Sequence, residues 1–342
     1  MTVDLAGLAV PVVAAPMAGG SSTPQLVAAV SGAGGLGFLA AGYRSTAALA
    51  EQIATVRGLT DRPFGVNLFV PAGPGDPAAV AAYRARLLPE AERWGVELPA
   101  AVAPDRDEWD AKIAALLADP VPVVSYTFGL PSPAEAAALR AVGSTQVGTV
   151  TTAAEALAAV ATGMDVLCVQ GPEAGGHRAT HRADAVPGET PLPALLAEVR
   201  RVTDLPLIAA GGLGDGPAVA AALRAGATAV QLGTAFLRAD ESGASPAHRA
   251  ALVDGRLTET VVTRVFTGRP ARALRNAFVD RYQPYAPTAY PEVHHLTQPL
   301  RAAAAKRGDT EALHLWAGTS HCLARTGPAA DITRELWREA QA

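Results

Sequence analysis

The side chain best suited to proton chemistry is a histidine that follows a pair of glycines. His177 comes directly after Gly175 and Gly176, in a loop that leaves a predicted strand at Gln170. Its imidazole has an ordinary pKa near ~6.5, which suits a general base, and paired glycines let the backbone turn close against a ligand. Gln170 can donate and accept hydrogen bonds, so it suits the polar edge of a planar heterocycle. The pattern predicts a ligand beside His177, with a simple bond from its ring to the loop backbone as the alternative.

Two glycine-rich segments end the predicted seventh and eighth strands. They contain Gly211 and Gly212 in the first and Gln231, Leu232, Gly233 and Thr234 in the second. Glycine lets backbone N–H groups approach an anion closely, and barrels often hold a phosphate between the loops after these two strands. The threonine hydroxyl would add one more donor. The segments therefore predict a phosphate site, with tight turns as the alternative.

An amide interrupts the predicted third strand, which covers residues 65–69. Asn67 lies there between apolar neighbours, and a buried amide left without partners costs about 1–3 kcal/mol. The side chain therefore contacts either a ligand or a structural partner within the fold, and the residues alone favour neither reading.

The strand ends lack the reactive groups that several enzyme classes need. Lys112 and Lys306 are the only lysines, and neither follows a predicted strand, which argues against Schiff-base and pyridoxal phosphate chemistry. Glu173 is the only carboxylate at a strand end before the seventh strand, and one carboxylate is too few for a divalent metal. No metal site is expected, and we predict that a bound organic cofactor performs the chemistry.

Short apolar runs alternate with alanine-rich helical stretches along most of the chain. Strands that are apolar on both faces belong to parallel sheets covered by helices. Eight such runs over ~240 residues favour a (β/α)8 TIM barrel over an open sheet. The runs are Val10–Pro16, Leu36–Ala41, Phe64–Val70, Val121–Thr127, Thr145–Val150, Val166–Gln170, Pro206–Ala210 and Ala229–Leu232.

Two regions interrupt this alternation. Residues 72–119 are too long for one crossover and contain two helical stretches, 77–94 and 107–118. Residues 246–342 follow the eighth strand and have the pattern of helices with a proline-rich loop at 284–291. We therefore predict a barrel in residues 1–245, with the helical insertion at 72–119, and a helical subdomain in 246–342 that packs over one end of the barrel.

The composition excludes several classes of protein. The chain has 342 residues, 49% hydrophobic and 18% charged, with a formal net charge of -4, which argues against disorder and against a nucleic-acid partner. Two cysteines favour a reducing compartment. The apolar run at 10–18 has no basic residues before it, unlike a signal peptide, and no run approaches the ~20 apolar residues of a membrane span. We expect a soluble cytoplasmic protein.

In combination and in this order, the motifs resemble the nitronate monooxygenases, formerly called 2-nitropropane dioxygenases, and within them the class I branch. The resemblance covers nearly the whole chain, because segments 296–301 and 315–318 also match. One departure is Thr319, where the branch would have Gln. The other matching segments are 15–19, 34–38, 65–67, 170–177, 209–216 and 231–234.

The resemblance implies an FMN-dependent barrel enzyme that oxidises alkyl nitronates with O2 and releases a carbonyl compound and nitrite. It places His177 beside the substrate above the flavin and Tyr290 in the substrate pocket. Its implied partners are the small nitronate and O2, without nucleic acid or membrane, and a homodimer is compatible with it. The residues expected at FMN are Met17, Asn67, Gln170, Gly175, Gly176, Gly211, Gly212, Gln231, Leu232, Gly233 and Thr234.

Three questions stay open from the sequence. His177 could donate to the anionic nitro oxygens when protonated, or remove the α-proton of a nitroalkane when neutral. The chain could instead be an NAD(P)H-dependent flavin reductase that resembles enoyl-acyl-carrier-protein reductases or quinone reductases. It could also be a barrel that binds a phosphate ligand without catalysis.

Overall fold

The strands form a closed parallel barrel and one small additional sheet. The computed structural model describes residues 3–103 and 105–342. The strands are β1 (Val12–Ala14), β2 (Leu36–Ala40), β3 (Gly65–Phe69), β4 (Val123–Thr127), β5 (Thr145–Val150), β6 (Val166–Gln170), β7 (Gly176–His177), β8 (Leu207–Ala210), β9 (Ala229–Leu232), β10 (Thr260–Thr263) and β11 (Ala271–Leu274). The barrel order is β1-β2-β3-β4-β5-β6-β8-β9.

The barrel closes through its first strand. In β1, Val13 is opposite Leu36 of β2 on one side and Gln231 of β9 on the other. Every barrel strand thus has two parallel neighbours, so the barrel itself has no free strand edge. The predicted TIM barrel is confirmed.

Alternate residues along the strands enter two separate apolar clusters. In β1, Val13 belongs to a cluster that fills the barrel interior, whereas Val12 and Ala14 face the surrounding helices. The same alternation separates Phe38 from Leu39 in β2. Burial on both faces explains why the strands show continuous apolar runs rather than alternation with polar residues.

The chain contains these helices of six residues or more. They are α1 (Pro24–Gly32), α2 (Thr46–Leu59), α3 (Pro77–Trp94), α4 (Trp109–Ala118), α5 (Pro133–Ala141), α6 (Ala153–Thr162), α7 (Leu192–Arg200), α8 (Gly216–Arg224), α9 (Pro246–Ala251), α10 (Ala277–Tyr282), α11 (Glu292–Arg307) and α12 (Ala329–Ala340). None of the helices within residues 3–103 and 105–342 is both long and apolar enough to cross a membrane.

Helix starts follow the local capping chemistry. The hydroxyl of Thr23 accepts a hydrogen bond from the Leu26 N–H at the start of α1. Ser132 and Glu135 form a reciprocal capping box at the start of α5. Such caps satisfy N–H groups that have no partner within the helix, and they fix where each helix leaves its loop.

The last helix of the chain completes the outer layer of the barrel. Helix α12 packs against α8 and α1, and its Ile332 and Leu336 are buried in the same cluster as the barrel helices. The division of the chain at residue 245 stays a prediction, and these contacts place the end of the 246–342 segment on the barrel wall.

The insertion and the C-terminal segment meet above the barrel strands. Helix α3 packs on α11, and both contribute to a second apolar cluster that includes Leu87, Leu296 and Phe266. Helix α4 instead packs between α2 and α5 as a barrel helix. Within the insertion, α3 therefore packs with the C-terminal segment, and α4 belongs to the outer helical layer of the barrel.

The C-terminal segment also contains strands, which the sequence pattern did not predict. Strands β10 and β11 pair in antiparallel fashion, and β11 pairs with β7, where Ala271 is opposite His177. Both new strands have only four residues, too few for a clear period-two signal. This small sheet attaches the His177 loop to the C-terminal segment.

We predict that Gly37→Ala destabilises the protein. A Cβ at this position in β2 would lie 2.5 Å from the Val27 carbonyl oxygen and 2.6 Å from the Val27 Cα of α1, and backbone atoms cannot move aside cheaply. Overpacking of this kind costs about 1–3 kcal/mol. Thermal unfolding should show a lower midpoint for the variant.

The matched control is Gly58→Ala in the exposed face of α2, where a Cβ meets nothing within 4 Å. Alanine is the better helix former, so this midpoint should be unchanged or higher. Equal midpoints for the Gly37 variant and wild type would contradict the close packing of α1 on β2.

Candidate active site

A cavity of about 400 Å³ opens at the carboxyl ends of the barrel strands. This is the end of a TIM barrel at which reacting groups are found. Twelve of the thirteen predicted site residues line it, and the exception is Tyr290. The twelve are Met17, Asn67, Gln170, Gly175, Gly176, His177, Gly211, Gly212, Gln231, Leu232, Gly233 and Thr234.

The rim formed by the loops after β8 and β9 contains unused hydrogen-bond donors. Among the described residues, the backbone N–H groups of Gly211, Gly212, Gly233 and Thr234 donate to no protein atom. Gly211 and Gly212 have φ angles of 113° and 70°, which favour glycine. The Thr234 hydroxyl accepts from the Gly318 N–H at 3.0 Å, so its own proton is available. We call this group of four residues the amide rim.

Polar side chains of β3 and β4 that line the cavity form hydrogen bonds with one another. Asn67 is 1% exposed, and its Nδ2 donates to Ser125 Oγ at 2.9 Å and Thr127 Oγ1 at 3.0 Å. All three residues line the cavity. The Asn67 Oδ1 has only one long contact, with Thr127 Oγ1 at 3.4 Å, so this oxygen retains the capacity to accept from a ligand.

Gln170 supports the shape of the loop that follows β6. Its Nε2 donates to the His177 carbonyl oxygen at 3.1 Å, and its Oε1 accepts from the Ala179 N–H at 2.9 Å. The backbone at Gly175 lies against Ala317 and Gly318, where a Cβ would collide. Gln170 and Gly175, which the sequence analysis predicts at a ligand, hold the histidine loop in place, and their contact with a ligand stays a prediction.

His177 is held as a neutral imidazole. Burial lowers its pKa to about 3, with further lowering by the charges of Arg269 and Arg301. Its Nε2 lies 3.0 Å from Thr267 Oγ1, and the Thr267 hydroxyl donates its single proton to the Arg269 carbonyl oxygen at 3.2 Å. With the hydroxyl proton assigned to the Arg269 carbonyl oxygen, the hydroxyl accepts from Nε2–H, and this assignment leaves the lone pair on Nδ1.

The free nitrogen of this imidazole meets the cavity. Nδ1 of His177 has no hydrogen-bond partner in residues 3–103 and 105–342, and it retains some accessible surface. His177 lines the cavity, so Nδ1 is the atom that a ligand would meet. The arrangement can accept a proton there.

Aromatic side chains form one wall beside His177. The Tyr290 hydroxyl donates to the Tyr43 hydroxyl at 3.0 Å, and the ring of Tyr290 lies 5.8 Å from the ring of His177. Tyr290 thus adjoins the cavity, whereas Tyr43 lines it. Phe128 packs against both His177 and Tyr290.

Tyr43 is fixed in place by a partly buried ion pair. It has a φ of 66°, a strained value for a residue with a large side chain. Its N–H donates to Asp107 Oδ1 at 2.9 Å, Asp107 Oδ2 pairs with Lys112 Nζ at 2.8 Å, and Lys112 donates to the Ala41 carbonyl oxygen at 3.0 Å. The lysine that sequence reasoning set aside therefore positions a cavity residue.

The sequence reasoning missed Tyr43, Thr267, Arg301 and Trp316 as site residues. Tyr43 follows Gly42 at the end of β2, and its place at a strand end was the available signal. The other three come from the C-terminal segment and reach the cavity only through tertiary packing. Within the described part of the chain, no group of three or more His, Cys, Asp or Glu side chains could hold a metal ion.

Comparisons with known proteins identify the family of this chain. The family model for nitronate monooxygenase matches residues 2–339. A probable nitronate monooxygenase from Staphylococcus aureus (strain Newman) is 38% identical over 332 residues, covering 95% of this chain and 93% of the relative. The corresponding protein from Staphylococcus saprophyticus is 40% identical over 316 residues, covering 91% and 88%.

Solved structures with the same fold are also similar to this chain in sequence. The nitroalkane oxidase from Streptomyces ansochromogenes has a TM-score of 0.93 and 49% identity, covering 98% of this chain and 96% of that one. FabK from Thermotoga maritima has a TM-score of 0.73 and 28% identity, covering 99% and 94%. Fold and relatives together define a flavin-dependent oxidoreductase on a TIM barrel. The chain belongs to the nitronate monooxygenase family.

We predict that Gly233→Val lowers flavin affinity roughly tenfold or more, equivalent to about 1.4 kcal/mol. A Cβ at Gly233 would meet Ala15 and Met17 at ordinary distances of 3.4 Å and more, so the flavin-free protein should fold normally. The added methyl groups would crowd the amide rim. Flavin content and the melting temperature of the flavin-free protein measure the two effects separately.

Gly188→Val is the control, because this exposed loop glycine lies outside the cavity and has nothing within 4 Å of a Cβ. It should keep its flavin. Full retention of flavin by the Gly233 variant would contradict the assignment of the amide rim to the cofactor site.

Proposed function

We propose that this protein uses FMN to oxidise alkyl nitronates with O2, releasing a carbonyl compound and nitrite. The family match and the named relatives support oxidation of nitro compounds. The observation that carries the proposal is a cavity with a neutral imidazole and one permanently charged side chain, the cation of Arg301, among its described lining residues. Such a cavity suits an anionic substrate and has few reactive groups besides a cofactor.

The residues present fit the phosphate end of FMN. The amide rim offers four backbone N–H donors and the Thr234 hydroxyl, which is the donor set that phosphate takes at the ends of barrel strands. Met17, Asn67, Gln170 and the segment 231–232 would border the ring system. FMN, when bound, would accept electrons from the substrate and pass them to O2.

The protein's own contribution is orientation and proton transfer. A nitronate already carries the negative charge at its reacting centre, so it needs placement rather than deprotonation. A neutral nitroalkane must first lose an α-proton, and Nδ1 of His177 would accept it while Thr267 holds Nε2–H. The low pKa of His177 argues against a protonated donor, because the ring is neutral before substrate binds. The anion that forms beside the ring on proton transfer would favour its protonated form and so raise its basicity.

We expect His177→Ala to keep its flavin and to lose turnover of a neutral nitroalkane such as nitroethane by roughly 10²–10⁴-fold, the usual contribution of a general base. Turnover of the corresponding nitronate should fall much less, because that substrate needs no base. Steady-state oxygen consumption with each substrate gives the comparison. Equal losses for both substrates would refute the base role.

The pH dependence provides an independent check. A His whose pKa is lowered to about 3 in the folded protein stays neutral above that pH, so the base is present throughout the range from about pH 5 to 7. We expect kcat/KM for nitroethane to show no acid limb in this range. An inflection near pH 6.5 that disappears in the His177→Ala variant would contradict a pre-neutralised imidazole.

A flavin reductase that takes hydride from a nicotinamide is the second candidate, favoured by the likeness to FabK. Anaerobic mixing separates the two functions. Bleaching of the flavin band near ~450 nm by a nitronate alone supports our proposal. Bleaching by NADH or NADPH but not by a nitronate supports the reductase. Protein that takes up no flavin would instead favour a non-catalytic barrel.

We also propose a cytoplasmic enzyme with small-molecule partners, in agreement with its two unpaired cysteines, Cys168 and Cys322. Assembly into a homodimer stays a prediction.

A further inference from the structure

Arg301 introduces the only permanent charge among the described residues that line the active-site cavity. It lies on α11, in the C-terminal segment above the barrel. No aspartate or glutamate is among those lining residues, and Arg301 makes no ion pair within the described chain. The cavity therefore has an uncompensated positive charge.

The guanidinium is held rigidly, with one nitrogen left over. Arg301 is 7% exposed. Its Nε donates to Thr297 Oγ1 at 3.1 Å, and its Nη2 donates to the His294 carbonyl oxygen at 2.8 Å. Nη1 has no hydrogen-bond partner among the described residues, and it retains some accessible surface. Because Arg301 lines the cavity, the N–H groups of Nη1 are available to a ligand there.

Arg301 lies beside His294, one of the histidines that line the cavity. Nη2 of Arg301 lies 3.3 Å from His294 Nδ1 and 2.8 Å from the His294 carbonyl oxygen, and Arg301, His294 and His177 all line the cavity. His294 in turn stacks on Tyr43, with ring centroids 3.8 Å apart. The amide rim, by contrast, has its own donors and is attached to the Gly318 backbone.

We propose that Arg301 Nη1 binds the negatively charged O–N–O group of the nitronate substrate. This inference rests on the proposed function and adds a substrate-binding residue to it. Nη1 has two N–H donors without protein acceptors, and a hydrogen bond from a charged nitrogen to an anionic oxygen is stronger than one between neutral groups. A buried cation without a counter-ion is costly, so an anionic ligand binds more favourably than its neutral form.

The test uses nitrite, which is an O–N–O anion that undergoes no turnover. Nitrite is titrated by calorimetry into flavin-loaded wild type and into Arg301→Met. We expect nitrite binding to weaken at least tenfold in the variant, and KM for ethylnitronate to rise by a similar factor. Arg301→Lys should recover part of the affinity, since it restores the charge without the planar donor geometry.

Arg307→Met is the control variant, because it removes the same charge from the exposed end of the same helix. It should bind nitrite as wild type does. Unchanged nitrite binding in the Arg301→Met variant, with flavin content and melting temperature also unchanged, would overturn the assignment.

A further arm separates the substrate anion from the cofactor phosphate. If Arg301 held the phosphate, Arg301→Met would weaken binding of FMN but not of riboflavin, and that result would overturn the proposal. Failure of the proposed function is distinguishable as well. In that case no nitronate is oxidised by any variant, whereas the nitrite titration still decides whether Arg301 binds the anion.

Discussion

The site depends on backbone N–H groups that the barrel leaves without partners. The closed barrel uses the N–H groups within its strands for pairing, but the chain turns sharply after β8 and β9, and the amide rim is left unpaired. Unsatisfied donors are costly where water is restricted, and a phosphate supplies several acceptor oxygens at once. Under the proposed function, this rim would hold the flavin phosphate and so set the position of the ring system and of the substrate.

A second constraint is the sign of the charge around the cavity. Burial, and then the charges of Arg269 and Arg301, lower the pKa of His177, and the same two charges attract an anion. A carboxylate in place of either arginine would reverse both effects, because it would favour the protonated imidazole. The same positive charges thus keep the imidazole neutral before substrate binds and favour an anion in the cavity.

The barrel, the amide rim and His177 could be predicted because each rests on a local signal: a continuous apolar run, a glycine pair or a residue at a strand end. Thr267 and Arg301 could not, since they lie far along the chain and reach His177 only when the C-terminal segment folds over the barrel. Strands β10 and β11 are too short to give a pattern. The side-chain amide of Gln170 forms hydrogen bonds with its own loop, and the sequence pattern does not indicate them.

The central claim is that the protein holds its cofactor by the phosphate, and a comparison of FMN with riboflavin tests it most directly. The two molecules share the ring system and differ in the phosphate that the amide rim would bind. Titration of flavin-free protein, followed by fluorescence quenching, should give an affinity for riboflavin at least ~100-fold weaker, or about 2.8 kcal/mol. Equal affinities for the two flavins would contradict the account.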